Sequence, residues 1–277
     1  MDRRLTPANG RVAADSLRGK VEAERFVKGE ARRVIVPVAD LLQEPHGRRE
    51  RQLLSGDAVT VYEQREGWCF VQSLQDNYVG YLKASQIEER DAPTHWIIAP
   101  ATHVYPEASF KVIERAKLPF GAQIRVIGEE GSRFIETEDG FVPKAHIAPL
   151  GWHFRDPVGV AMLFTGSPYL WGGNSRDGID CSGLVQAACL ACGLPCPADS
   201  DQQATSAGVA AKSGVPRQKG DLLFWKGHVA LVVDATRILH ANAHHMAVAF
   251  EDMAEAEARI IAQGDGPVTS HRRLMPG

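Results

Sequence analysis

Residues 34–149 read as one module written twice, which restricts this part of the chain to small units built from short strands. The first copy spans about 34–89 and the second about 95–149. Each opens with a short apolar stretch, VIVPVADLL in one and WIIAPATHVY in the other, and each stretch is closed by a proline (Pro45, Pro106). A Leu…Gly step then leads into an alternating segment, LLSGDAVTVYE against LPFGAQIRVIGEE. Both end on an acidic turn, a glycine and a closing strand, DNYVGYLKASQI against EDGFVPKAHI, so that Ile87 and Ile147 stand in equivalent places. Short alternating strands punctuated by Gly, Asp and Asn predict two small antiparallel barrels, at 34–90 and 91–150. The preceding 33 residues are charged without a sustained period and read as a leader.

From Gly151 the pattern changes. Residues 156–164 are apolar at helical spacing, and a Gly- and aromatic-rich stretch, TGSPYLWGGNSRDGIDCSG, follows. Leu184, Val185, Ala188, Cys189 and Cys192 then mark one face of a second helix. Four strand candidates come next, at 221–225, 228–234, 237–242 and 246–252, and a Glu/Ala-rich helix at 252–262 reads as a solvated cover. Helices followed by consecutive strands predict an α+β domain with an antiparallel sheet over 151–277.

At 277 residues the chain suits two or three domains. Its 31 basic and 34 acidic side chains leave a net charge of −3, which gives no electrostatic reason to expect nucleic acid or an anionic membrane as partner. No run of about 18 apolar residues occurs, and the first residues carry arginines without an apolar stretch behind them. Five cysteines, four of them between 181 and 196, do not make a disulfide framework, so a reducing cytoplasm is expected.

Cys181 lies in DGIDCSG, a turn-forming stretch that leads straight into a helix. The unpaired N–H groups and the dipole at a helix start favour the thiolate, the nucleophilic form. His228 begins a strand after the Lys226-Gly227 turn, and His240 stands in the next strand candidate. Antiparallel neighbours joined by the turn at 234–237 bring the two together, which gives a base and an orienting group for a cysteine nucleophile. His244 and His245 read as surface or satisfied core residues. The C-x2-C-x3-C run of Cys189, Cys192 and Cys196 lacks a fourth ligand and a flanking histidine, so packing accounts for it and no metal or other cofactor is expected. No phosphate-binding loop is present, since the glycines at 172–173 lack the Lys-Ser/Thr ending.

Taken together, YLWGG…DCSG, GDLLFWKGHVAL and LHAN resemble the NlpC/P60 peptidases, papain-like hydrolases of cell-wall peptides, over about 151–273. The stretch GWCFVQSLQDNYVGYL resembles bacterial SH3-like (SH3b) domains. The resemblance implies a papain-like catalytic domain, a helix bundle plus antiparallel sheet, preceded by two small SH3-like β-barrels. It assigns Cys181 as nucleophile, His228 as base, His240 as the third member and Tyr169 as a hydroxyl donor to the oxyanion. Trp171 reads as core or cleft wall.

Two SH3b modules ahead of such a domain resemble the dipeptidyl-peptidase VI group, which cleaves murein peptides between γ-D-glutamate and a diamino acid and requires a free N-terminal L-alanine. On that resemblance Glu44, Tyr78 (with Tyr81 as the alternative), Asp180, Ser182 and Ser200 line the substrate site. The expected partner is then a murein peptide, met in the cytoplasm during wall recycling. Two other readings stay open. One is an amidase or acyltransferase working from the same residues, and the other is a non-enzymatic module that binds wall peptides.

Overall fold

The computed structural model describes residues 1–128, 133–212 and 214–274, which form two compact units, Met1–Leu150 and Gly151–Gly277. In the first, an antiparallel seven-stranded sheet runs in the order Arg49–Leu54, Val38–Leu42, Val79–Lys83, Trp68–Ser73, Ala58–Arg65, Glu30–Val34, Ile87–Glu88. Alternation buries Ala39 and Leu41 from one strand, Val59 from another and Leu82 from a third. A register shift between Val61 and Glu63 lets the long central hairpin bend.

The second repeat is assembled from shorter pieces. Gln123–Ile124, His95–Ile97 and Ile147–Pro149 make a three-stranded sheet, while Ala101–Val104 pairs with Ala116–Pro119 and Phe134–Thr137 with Gly140–Pro143. The two segments end alike, on three-residue turns, Ala84–Gln86 and Lys144–His146, that lead into their last strands. They are nonetheless joined. Leu54 of the first copy lies in one apolar cluster with Ile97, Val104, Leu118 and Val142 of the second, and the Gln123 amide donates to the Ser55 carbonyl at 2.8 Å.

The charged leader is built into this unit. Val12–Ala14 is fully enclosed and pairs in parallel with Arg25–Val27, and Val12 packs on Phe70 and Val79. Arg11 meets Glu63 at 2.7 Å, and the sheet itself begins at Glu30, inside the stretch read as leader. An apolar run of three residues is too short to leave a period, so the sequence shows only the charges around it.

The carboxy-terminal unit sets helices against a six-stranded antiparallel sheet ordered Val209–Ala210, Ser270–Arg273, Asp221–Trp225, His228–Val232, Arg237–Asn242, Ala247–Asp252. Helix α1, Pro157–Met162, starts on the Asp156 cap with proline in its first turn, and α2 spans Cys181–Ala191. Helix α3 is Ser200–Ser206 and α4 is Met253–Ala262. The helix expected to be a solvated cover has a buried side: Met253, Ala256 and Ile260 pack on Leu223, Trp225, Ala230, Val232 and Ile238. Its Glu-rich composition describes only the opposite face.

Candidate active site

Helix α2 begins at Cys181 because Asp180 caps it. The Asp180 Oδ1 accepts from the Gly183 amide at 2.7 Å and the Ser182 hydroxyl at 3.1 Å, and Oδ2 accepts from the Gly172 amide at 2.8 Å. One carboxylate thus closes the helix end and clamps the YLWGG loop against it. Packing there is backbone on backbone: a Cβ added to Gly183 would lie 2.6 Å from the Gly173 carbonyl oxygen, and one on Gly173 would lie 2.4 Å from the Gly178 oxygen. Burial pushes the Asp180 carboxyl above its ordinary range, and those three donors oppose the shift without cancelling it.

Cys181 is 7% exposed, and the backbone amide of Val229, the residue after His228, donates toward its sulfur. Burial pushes the thiol up to about 12, reinforced by the neighbouring Asp180 charge and only partly offset by backbone amides. The thiolate-favouring environment expected from the helix start is therefore outweighed. A helix N-terminus contributes at most about 2 kcal/mol, less than desolvation of a fully enclosed charge. Burial likewise lowers His228 to about 3 and His240 to about 4. The resting pair is an uncharged thiol and an uncharged imidazole.

The two histidines meet through strand register. Leu231 pairs with Leu239, and continuing that pairing sets Ala230 opposite His240, so His228 lies two residues along on the same face. Their rings approach with Nε2 of His228 2.9 Å from Nδ1 of His240. The next hairpin repeats the step. His240 pairs with Ala249, which puts Glu251 diagonally beside it with Oε2 3.0 Å from His240 Nε2. From α4, Arg259 reaches the same carboxylate, Nη2 to Oε2 at 2.7 Å and Nε to Oε1 at 2.9 Å. Burial alone would raise the Glu251 carboxyl, but Arg259 and His240 outweigh it and hold it below its usual range.

Tyr169 stands in the loop ahead of α2. Its amide bonds the Met246 carbonyl at 2.9 Å, and burial followed by the nearby Cys181 and Asp180 charges raises its hydroxyl well above the ordinary value. Ser182 is buried, with its hydroxyl on Asp180 and its carbonyl accepting from Gln203 of α3 at 2.9 Å. Ser200 opens that same helix. The carboxy-terminal unit therefore gathers Tyr169, Asp180, Cys181 and Ser182 at the start of α2, and His228 with His240 on the adjoining strands.

In the amino-terminal unit Glu44 is exposed and lines a pocket of about 400 Å³ with His46, Glu63, Trp68 and Tyr81. Tyr78 is not in it. That residue is 1% exposed and its hydroxyl donates to Glu50 at 3.0 Å, so the alternative Tyr81 is the tyrosine beside Glu44. Trp171 is 64% exposed, which excludes the core.

The NlpC/P60 family profile matches residues 166–260, and the profile of the bacterial dipeptidyl-peptidase SH3 domain matches residues 41–87. The gamma-D-glutamyl-L-lysine dipeptidyl-peptidase of Bacillus subtilis is 32% identical over 221 residues, covering 69% of this chain and 72% of that one. The chain belongs to the NlpC/P60 family. It is a cysteine peptidase with an SH3-like domain ahead of the NlpC/P60 domain. Dipeptidyl-peptidase 6 of Lysinibacillus sphaericus is 29% identical over 239 residues, which cover 76% of this chain and 86% of that protein. A crystal structure of an NlpC/P60 family protein from Bacillus cereus superposes with a TM-score of 0.73 at 20% identity, covering 89% of this chain and all of that one, and it shares the fold.

The NlpC/P60 unit holds polar residues that the motifs did not reveal. Glu251 and Arg259 extend the histidine pair, and the register of the hairpin 237–252 was the signal that could have found Glu251. His240, His245 and Glu251 come within 4.8 Å of one another, as metal ligands do, yet Arg259 already occupies both oxygens of Glu251 and a cation would have to displace it. His244 and His245 are both exposed and their rings meet edge to face. All five cysteines are free thiols.

Proposed function

We propose that the chain hydrolyses the bond between γ-D-glutamate and a diamino acid in murein peptides bearing a free N-terminal L-alanine, with Cys181 as nucleophile. The observation that carries this reading is the hydrogen-bonded His228–His240 pair, with His228 on the strand whose Val229 amide reaches the Cys181 sulfur and His240 on the strand beside it. The names of the two dipeptidyl-peptidase relatives support the bond and substrate class. As Sγ attacks the glutamyl carbonyl carbon, its proton passes to His228 Nδ1. Transfer in concert with attack suits a pair whose members are both held uncharged at rest.

The oxyanion takes hydrogen bonds from the Cys181 backbone amide and the Tyr169 hydroxyl, which its raised pKa keeps protonated and able to donate. Collapse expels the diamino acid, whose amine collects the proton from His228 and leaves an acyl thioester. Water, deprotonated by His228, then releases the dipeptide and restores the thiol. Ser182 and Ser200 stand as substrate-site residues. Asp180 stands as both helix cap and substrate acceptor, and Glu44 with Tyr81 as acceptors for the substrate amine. Two SH3-like barrels at 34–90 and 91–150, and action in the cytoplasm on recycled wall peptides, complete the reading. The five free thiols support the second point. No helix among the described residues is long and apolar enough to cross a membrane.

The test is mass spectrometry of L-Ala-γ-D-Glu-L-Lys, the meso-diaminopimelate analogue and their N-acetyl forms after incubation with the protein and with Cys181→Ala. Cleavage of the free-amine peptides alone, abolished by Cys181→Ala and with KM raised about 10-fold or more by Glu44→Gln, is the expected result. Equal cleavage of the acetylated forms would remove the amine requirement, and product only with an added amine acceptor would make the enzyme an acyltransferase.

A further inference from the structure

Two imidazoles joined by one hydrogen bond can hold the shared proton on either ring, and the choice decides whether His228 can act as a base. Nε2 of His228 and Nδ1 of His240 lie 2.9 Å apart, so one is the donor and the other the acceptor. Were His240 the donor, His228 would accept at Nε2 and carry its own proton on Nδ1, leaving no lone pair there for the thiol proton. Nothing within the two rings settles this.

Glu251 does. Its carboxylate lies 3.0 Å from His240 Nε2 and can only accept, so that nitrogen carries the proton. His240 Nδ1 is then the acceptor, His228 Nε2 must donate to it, and His228 Nδ1 is left with its lone pair. Arg259 holds the carboxylate in place through Nε and Nη2, one to each oxygen. We infer that Glu251, clamped by Arg259, sets the tautomer of both histidines and is a positioning residue for the His228 base, acting from two rings away. The register that places His228, His240 and Glu251 diagonally on one sheet face is what lets one anion order both rings. The consequence for turnover rests on the Cys181–His228 reading above, whereas the tautomer does not.

A purely structural tie between α4 and its neighbouring strand is the competing role, and two substitutions separate the roles. Glu251→Gln keeps the shape but offers a donor as well as an acceptor, so the direction of the bonds is no longer fixed. Arg259→Met breaks the same ion pair but leaves the anion facing His240. In ¹⁵N spectra of the full chain with imidazoles labelled, the wild-type protein and Arg259→Met should show His228 protonated at Nε2 only. Glu251→Gln should add the Nδ1-protonated form. With the tripeptide, Glu251→Gln should lower kcat at least about 10-fold with KM within about twofold, following the loss seen when a carboxylate orienting a catalytic histidine is made an amide. Arg259→Met should lose less than Glu251→Gln.

Equal losses in the two variants, or an unchanged His228 tautomer in Glu251→Gln, would overturn the inference. A wild-type protein that leaves the tripeptide intact would count against the proposed reaction, while the ring spectra would still decide the role of Glu251.

Discussion

The sheet of the carboxy-terminal unit carries two carboxylate–histidine–arginine trios of nearly the same make. In one, Glu251 accepts from His240 at 3.0 Å and from Arg259 at 2.7 and 2.9 Å. In the other, Asp221 accepts from His271 at 2.6 Å and from Arg273 at 2.8 and 3.0 Å, with the Gln218 amide added at 3.0 Å. Burial would raise both carboxyls, and in both the arginine and histidine reverse it and bring them below the ordinary range. The trios differ in where the histidine leads. His240 is enclosed and continues to His228, whereas the His271 side chain is 19% exposed and ties the Ser270–Arg273 strand to its neighbour. Composition alone therefore does not mark a functional trio. The group beyond the histidine does.

That contrast can be broken most sharply by removing each histidine. His240→Ala should lower kcat on the tripeptide about 100-fold, while His271→Ala should leave kcat within about twofold. Comparable losses in steady-state assays would erase the distinction. The next largest effect is on stability. Asp221→Asn leaves Arg273 and His271 without their anion and should cost about 1–3 kcal/mol, read as a lower unfolding midpoint with activity per folded molecule retained.

The pH signs of two buried carboxylates sharpen the comparison further. Asp221 is held below the usual range, so its contribution is present above about pH 3.9 and disappears as the pH falls through its folded value. Asp221→Asn should therefore flatten the acid limb of the stability curve. Asp57 of the other unit has the opposite sign. Its Oδ2 accepts from the Leu54 amide at 2.8 Å, yet burial raises it to about 6, with Arg51 and Arg33 opposing. Its stabilising, protonated form is fully present below about pH 3.8 and lost as pH rises through about 6, an effect of at most about 3 kcal/mol. Thermal unfolding of Asp57→Asn across that window should lack this decline, and a retained decline would place the titrating group elsewhere.

What could be read from the sequence follows from how local each signal is. Cys181, His228 and His240 sit in short motifs whose neighbours fix a helix start and two strands, and the strands at 221–225 and 237–242 appear where their apolar runs lie. Glu251 and Arg259 are eight residues apart on a strand and a helix. Their charges look the same whether they meet inside or face water, so only the hairpin register distinguishes them. Tyr78 and Tyr81 stand three residues apart at the Val79–Lys83 strand, and an odd spacing sends their rings to opposite faces, so only the register of the sheet shows which one goes inward. Burial of Cys181 is set by elements remote in the chain, which is why its helix position misjudges its acidity.

The contact of Gly173 with Gly183 binds the YLWGG and DCSG stretches in a further sense. A side chain at Gly183 would strike the main chain at Gly173, and one at Gly173 would strike that of Gly178, so no smaller partner exists to make room. A lesion at either glycine has no second-site suppressor at the other. The two stretches are in effect one indivisible word, and a library randomised at both positions should return glycine twice or no active enzyme.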